Sequence, residues 1–313
     1  MAEGRHSKPE GSPVKSNRDV VIRVKNLSKW YGGRSVLSQI NLEVYRGEIV
    51  AIIGGSGSGK STLLRHLLGL EKPDEGVVEL LGYDVSAIGE EERVELCKRF
   101  GVLFQSGALF GSMTVGENVS LPLEEHTDLD PELREIVTRM KLDLVGLSHC
   151  MDLMPSELSG GMRKRAGLAR AIVLDPEIMF YDEPQSGLDP VLTAVVDKLI
   201  ADLNKHLRMT SVVVTHSIES ALRYADRIYM LHSGRIVACG TPSDFKASED
   251  PRVKQFLLGL VEGPLTEEES RKSPFSPVML SELLSVEGGN PHREIPTREL
   301  ERSSQDEVQE VKV

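Results

Sequence analysis

Gly54-Gly55-Ser56-Gly57-Ser58-Gly59-Lys60-Ser61 fits the phosphate-cradling pattern G-x-x-x-x-G-K-[ST] at every position. Glycines at 54, 55, 57 and 59 let the backbone curl with its N–H groups pointing inward, making an anion-binding nest where side chains would block a phosphate. Lys60 is then placed to reach the β- and γ-phosphates of a nucleotide. The Ser61 hydroxyl is placed to ligate Mg²⁺, a hard cation that prefers oxygen donors. Both flanks agree with this reading. Before the loop, Glu48-Ile49-Val50-Ala51-Ile52-Ile53 is a short apolar, β-branched run, as a parallel strand buried on both faces requires. After it, Thr62-Leu63-Leu64-Arg65-His66-Leu67-Leu68-Gly69 reads as a helix closed by glycine, with His66 as a packed helical histidine. Strand, nest and helix N-terminus in succession aim the helix dipole at the phosphates, which a flexible glycine linker has no need to do.

The 313 residues suffice for one large α/β domain with appendages or for two modest domains. A hydrophobic content of 40% with 27% charged residues is ordinary for a globular chain, and no run approaches the roughly 18 apolar residues of a membrane span. The expectation is a chain that does not itself cross a bilayer. Met1 to Pro9 lacks the apolar core of a signal peptide, and Cys97, Cys150 and Cys239 lie far apart without a C-x-x-C pair. Reduced thiols, with neither a disulfide framework nor a zinc site, are expected. A formal net charge of -11 and an aromatic content of 4% argue against a protein that coats nucleic acid, which needs a basic face and stacking rings.

Residues 1–18 are polar and breaker-rich and read as a disordered lead-in, so the fold is expected to begin near Asp19. Val20 to Val24 and Gln39 to Val44 are strand-like, with Gly32-Gly33 marking a turn between them. Trp30 and Tyr31 precede that turn, where a ring either stacks on a nucleobase or packs over the sheet edge. Val77 to Gly82 predicts a strand, Glu90 to Arg99 a charged helix, and Gly101 to Phe104 a buried strand ending at Gln105. A polar residue at a strand's carboxyl end is placed for ligand chemistry. From Ser106 to about Ala171 the pattern is mostly helical, as in Asp130 to Met140, and suggests an inserted subdomain. Ser159-Gly160-Gly161 then precedes the helical sequence Met162 to Ala171. The serine is an ordinary N-cap, or the bare glycines let an anion approach.

Glu177 to Tyr181 is mostly apolar and ends in Asp182-Glu183. Adjacent buried acids are costly unless they serve a metal or a proton transfer, so Asp182 is assigned to Mg²⁺ and Glu183 to the attacking water. Thr210 to Thr215 is the next apolar strand and ends at His216. Arg227 to His232, Ser233-Gly234 and Arg235 to Ala238 read as a hairpin. In a helix expected over Asp250 to Leu260, Val253, Phe256, Leu257 and Leu260 form one apolar stripe, for burial on its own domain or across a second copy. Beyond Gly263, Glu, Ser, Pro and Arg dominate, and a largely disordered acidic tail with an apolar island at Val278 to Leu284 is expected.

With these residues in order, the chain resembles the ATP-binding subunit of ABC transporters over about residues 19–245. The resemblance rests on the phosphate loop, Gln105 as the Q-loop glutamine, the signature Leu158-Ser159-Gly160-Gly161, the Walker B acids Asp182 and Glu183, the D-loop Ser186-Gly187-Leu188-Asp189 and the switch histidine His216. It implies an α/β P-loop NTPase core with a mostly parallel sheet, an antiparallel β subdomain and an inserted α-helical subdomain at about 106–171. A helical extension at 246–263 and a tail at 264–313 would follow. ATP and Mg²⁺ are the implied cofactors. Gly54, Gly55, Ser56, Gly57, Ser58, Gly59, Lys60, Ser61 and Thr62 would hold the phosphates, and Tyr31 would stack on adenine, leaving Trp30 as a packing residue. Ser61, Gln105 and Asp182 would hold the metal, and Glu183, His216 and Gln105 would serve catalysis. Ser159, Gly160, Gly161 and Asp189 would face a nucleotide held by a second copy in an ATP-sandwich dimer.

Within that family the sequence looks most like the ATPases of Mce-type lipid transporters, the maintenance-of-lipid-asymmetry group. The cues are Ser106 to Phe110, Thr114 to Val119, Met162 in the signature and Asp250 to Phe256. Gln185 departs from the common threonine. The resemblance implies an ATPase powering phospholipid movement between membranes. Its implied partners are integral membrane permease subunits docking near Gln105 and the helical subdomain, and an Mce-domain substrate-binding protein, with no nucleic acid. Its implied place is the cytoplasmic face of the inner membrane, bound peripherally. The alternative is the ATPase of an importer for a small polar solute such as an amino acid.

Overall fold

The computed structural model describes residues 19–267. Strands β1 (Val20–Tyr31) and β2 (Arg34–Tyr45) form a long hairpin closed by Gly32 and Gly33, both with positive φ, with Tyr31 paired to Arg34. The two short strands expected from sequence are thus 12 residues each, because the pairing runs on to the glycine turn despite several bulges. β4 (Glu75–Leu80) pairs with β1, and β5 (Tyr83–Asp84) completes an antiparallel sheet in the order β2-β1-β4-β5.

A second sheet carries the chemistry. Its strands are β3 (Ile49–Ile53), β6 (Phe100–Leu103), β7 (Ile178–Asp182), β8 (Thr210–Thr215), β9 (Arg227–His232) and β10 (Arg235–Gly240), in the order β10-β9-β3-β8-β7-β6. All pairs are parallel except the β9–β10 hairpin at the edge. Every residue of β3 and β8 is buried, which is why both read as unbroken apolar or β-branched runs. One hydrophobic core joins the two sheets through Ile22, Leu27 and Leu37 on one side and Ile52, Phe180 and Val212 on the other. Leu63 and Leu67 of α1 (Lys60–Leu67) fill it. Each such side chain contributes about 1.5–3 kcal/mol on burial. Because β3, β8, β7 and β6 are parallel neighbours, their carboxyl ends emerge along one edge, and the phosphate loop, His216, Asp182-Glu183 and Gln105 follow from them.

Helix α2 (Glu90–Lys98) precedes β6, which ends at Leu103, one residue before the expected end. Phe104 lies beyond the strand and is exposed. The inserted helices are α3 (Val115–His126), α4 (Pro131–Leu144) and α5 (Gly160–Ala171). Their starts are written in the sequence. Thr114 and Glu117 make a reciprocal capping box at 3.2 and 2.7 Å, and Asp130 caps α4 ahead of proline at its first position. Gly107 lies so close to α5 that a Cβ on Gly167 would sit 2.6 Å from the Gly107 carbonyl oxygen. Arg170 fixes the same segment by donating to the Ala108 carbonyl at 2.8 Å.

Helices α6 (Pro190–Leu207) and α7 (Ile218–Tyr224), not singled out from sequence, return the chain to β8 and β9. After α8 (Pro242–Lys246), α9 (Pro251–Leu258) is shorter than expected, because Gly259 takes a φ of 62° and closes it. Leu260 therefore falls outside the helix, and the four-residue stripe is broken. Val253 and Gln255 are the buried side chains of α9, and Leu258 is exposed. Among the described residues, 19–259 form one compact unit, and a second begins at Leu260. Of the latter, a helical turn in which the Thr266 N–H donates to the Gly263 carbonyl at 3.1 Å belongs to the described residues. The expected lead-in at 1–18 and the tail beyond 267, with its apolar island, lie outside the described residues. Among the described residues no helix is long and apolar enough to cross a membrane, and the three cysteines are unpaired.

Candidate functional site

The phosphate loop is fixed from both ends. A Cβ at Gly54 would lie 2.2 Å from the Leu231 carbonyl oxygen and 2.8 Å from Ser58 Oγ, so no larger residue fits there. The Gly234 N–H of the β9–β10 turn donates to the Ser58 carbonyl at 3.0 Å, holding the loop against the sheet. Gly59, at φ 104°, starts α1 with no side-chain cap and no acidic residue in the first turn. The helix N-terminus is thereby kept for an anion. Lys60 Nζ donates to the carbonyls of Gly54 at 2.8 Å and Gly55 at 2.9 Å. Burial pushes its pKa below the ordinary lysine value against the opposing pull of Glu183 and Asp182. The cation is folded onto its own loop, with Glu183 Oε1 3.9 Å away.

Glu183 follows β7 with φ at 48°, a left-handed conformation rare for a residue with a side chain and worth roughly 1–3 kcal/mol of strain. Its N–H donates to the Val214 carbonyl at 2.9 Å, which docks it beside the end of β8. There His216 Nδ1 lies 2.6 Å from Glu183 Oε2, and the His216 N–H donates to the same oxygen at 3.3 Å. The structure thus brings together Lys60, Glu183 and His216, which are scattered over more than 150 residues of sequence.

Asp182 has its carboxyl pushed above the usual range by burial and by its neighbour Glu183, with Lys60 and Arg65 opposing. A half-buried carboxylate in that condition suits a cation. Among the described residues no cluster of three His, Cys, Asp or Glu could hold a metal alone. The candidate donors are one carboxylate, a hydroxyl and an amide oxygen, a set that fits Mg²⁺ bound jointly with substrate phosphates. Gln105 donates through Nε2 to Ser186 Oγ at 2.9 Å, which links it to the loop after Glu183 and leaves its amide oxygen for a cation.

Tyr31 presents an exposed ring at the end of β1, and its hydroxyl donates to the Glu71 carboxylate, 2.5 and 2.6 Å from the two oxygens. That bond holds Glu71 below its usual pKa, and Lys29 Nζ lies 5.4 Å from the ring centroid. Trp30 is 38% exposed, with its backbone N–H donating to Asp74 at 2.7 Å. Glu71 and Asp74 were not picked out from sequence, because both lie in a loop without periodicity.

Ser159 caps α5 by accepting from the Met162 N–H at 3.2 Å, and Asp189 caps α6 by accepting from Val191 and Leu192 at 2.9 and 3.0 Å. Within one chain both side chains are engaged as helix caps. No hydrogen bond or ion pair among the described residues joins Ser159–Gly161 to the phosphate loop. Sequence reasoning missed Lys164. Its buried ammonium donates to the carbonyls of Pro184 at 2.9 Å and Ser186 at 2.5 Å, tying α5 to the segment after the two acids. Burial lowers its pKa, with Glu183 opposing.

A family profile described as "ABC transporter" matches residues 37–186. Among curated proteins, the "Intermembrane phospholipid transport system ATP-binding protein MlaF" of Haemophilus influenzae is 44% identical over 245 residues, 78% of this chain and 93% of that protein. The "Probable ribonucleotide transport ATP-binding protein mkl" of Mycobacterium leprae is 42% identical over 272 residues, 87% of this chain and 77% of that one. Among solved structures, cbiO1 from Clostridium perfringens superposes with a TM-score of 0.68 at 29% identity, covering 76% of this chain and 95% of that one. The dimeric post-hydrolysis structure of the ATP-binding cassette MJ0796 with ADP and Pi gives a TM-score of 0.66 at 31% identity over 71% of this chain and 98% of that one. Sheet order, phosphate loop and relatives agree, and the chain belongs to the ATP-binding ATPase subunits of ABC transporters.

Proposed function

We propose that this ATPase powers phospholipid transport between membranes, peripherally bound at the cytoplasmic face of the inner membrane with separate permease subunits and an Mce-domain substrate-binding protein. The observation that carries the cargo is the identity of 44%, over nearly their whole length, to proteins named for intermembrane phospholipid transport. Residues 19–245 serve as the ATPase domain, 106–171 as its helical subdomain and 246–263 as an extension. The groove of the helical subdomain lined by Thr114, Ser120, Arg134, Glu135, His149 and Asp152 suits the permease contact.

The chemistry follows from the chain's own groups. Tyr31 stacks on adenine, and residues Gly54 to Thr62 receive the phosphates. Lys60 exchanges its two carbonyl acceptors for phosphate oxygens, a stronger charge-assisted bond. Mg²⁺, when bound through Ser61, Asp182 and Gln105, neutralises phosphate charge. Glu183 accepts a hydrogen bond from the attacking water and orients it in line, and His216 holds the Glu183 carboxylate in place. Ser159, Gly160, Gly161 and Asp189 of a second copy close over the γ-phosphate, so loss of that phosphate reopens the pair.

The cargo is tested by purifying the chain with its membrane partners and reconstituting the complex in vesicles. ATP-dependent movement of labelled phospholipid is the expected result. Movement of a ribonucleotide with no movement of lipid would overturn the proposal in favour of the function named for the mycobacterial relatives. A separate expected result concerns the base. Tyr31→Ala weakens ATP by roughly 1–3 kcal/mol and flattens the preference between ATP and GTP in titration calorimetry, whereas Tyr31→Phe, losing only the Glu71 bond, keeps most of the affinity. Unchanged affinity in the alanine variant would remove the stacking role.

A further inference from the structure

Gln185 sits two residues after Glu183 and points into the protein, with its side chain buried. Its amide Nε2 donates to Asp197 Oδ1 on α6 at 2.8 Å and to Tyr224 Oη on α7 at 3.3 Å. Its Oε1 accepts from Thr215 Oγ1 at 3.2 Å. The orientation of the amide is dictated by its partners, because a reversed amide would set its oxygen against the Asp197 carboxylate. Thr215 has its own order fixed too. Its hydroxyl accepts from the Ser217 N–H at 3.0 Å and so has its proton available for Gln185. Asp197 in turn receives Arg223 Nη1 on Oδ2 at 2.9 Å, so each of its oxygens has a separate donor. Every atom of the amide is engaged, and each partner belongs to a different element.

Thr215 is the residue before His216, and Gln185 lies two residues beyond Glu183. The one bond between Thr215 and Gln185 therefore spans the same two loops that the Glu183–His216 contact spans at 2.6 Å. Glu183 stands in a strained left-handed conformation that its surroundings must hold, and the Gln185–Thr215 bond adds a side-chain tie to the one its N–H makes with the Val214 carbonyl. We propose that Gln185 is a positioning residue whose buried amide pins the loop after β7 to the end of β8 and thereby sets the Glu183 carboxylate against His216. This rests on the reading of Glu183 as the group that orients the attacking water.

The experiment uses the full chain in its purified transport complex and reads kcat, KM for ATP and thermal stability. Gln185→Met keeps length and volume and removes the bonds. It should lower kcat at least about tenfold with KM changed less than about twofold, because misplacement of a reacting group by about 1 Å costs on the order of a hundredfold. Gln185→Glu should lose at least as much, by setting a second carboxylate against Asp197. Combining Gln185→Glu with Asp197→Asn exchanges the two groups. The new amide donates to the new carboxylate and still accepts from Arg223, so kcat should return to within about threefold of wild type. A residue that only fills space gives no such rescue. Unchanged kcat in a folded Gln185→Met variant would overturn the proposal, and so would a double variant of wild-type stability whose turnover stays low. Glu183→Gln run alongside separates the two readings. If it turns over ATP normally, the role of Glu183 fails whatever the Gln185 variants do.

Discussion

Glu183→Gln lowers kcat for ATP by at least about a hundredfold while the affinity for ATP stays within a few-fold of wild type. The amide has the shape of the carboxylate and can accept from the His216 ring and backbone N–H as Oε2 does now, so the loop keeps its position. What is lost is the charge. An amide neither takes up proton density from a water nor orients it with comparable strength, and general-base contributions run to about 10²–10⁴. Binding is spared because the carboxylate is one of the acids nearest Lys60, 3.9 Å away, and stands where the γ-phosphate brings more negative charge. Removing it relieves repulsion that ATP would meet. Equilibrium titration with labelled ATP beside single-turnover hydrolysis checks both halves. Near-normal single-turnover hydrolysis would move the base to another residue.

His216→Ala leaves Glu183 in place but without its ring partner, and the expected outcome is slower hydrolysis with little change in affinity. The loss should be smaller than for Glu183→Gln, since the backbone N–H of residue 216 still reaches the carboxylate.

Much of this site is legible in the chain because its parts are strand ends. A parallel sheet buried on both faces writes its strands as apolar runs, and the residue after each run lies at the same edge. Ile53, Leu103, Asp182 and Thr215 close four such strands, and Gly54, Gln105, Glu183 and His216 follow within two residues. What the sequence does not write is the inward-facing support. Gln185, Asp197, Thr215 and Tyr224 converge from different elements, and no local period announces a polar cluster in a core. Lys164 reads as part of a basic helix face until the fold turns it onto three carbonyls. The end of α9 is not written in the apolar pattern either. Leu260 continues the spacing of Val253, Phe256 and Leu257, whereas Gly259 at φ 62° ends the helix before it.

Lys60→Ala removes ATP binding rather than turnover alone. The ammonium is buried and carries two carbonyl bonds, with carboxylates at hand. Its desolvation is therefore already paid for in the ligand-free chain, and phosphate oxygens meet a cation that water does not screen. Truncating one member of a buried charge pair of this kind costs about 2–5 kcal/mol, on the order of thirtyfold to several thousandfold in Kd. Stability of the ligand-free chain should move much less. The variant loses two hydrogen bonds but also sheds a buried charge, and the Gly54 and Gly55 carbonyls gain access to water through the space vacated. Thermal unfolding with and without ATP separates these effects. At a ligand concentration about 100 times the wild-type Kd, ATP stabilises the wild type by about 2.7 kcal/mol, and a hundredfold weaker site would yield under about half a kcal/mol. Lys60→Arg should not rescue the site, because a planar guanidinium cannot take the place of a compact ammonium between two carbonyls. Full ATP-dependent stabilisation in Lys60→Ala would mean that the nest and helix N-terminus hold the phosphates without it.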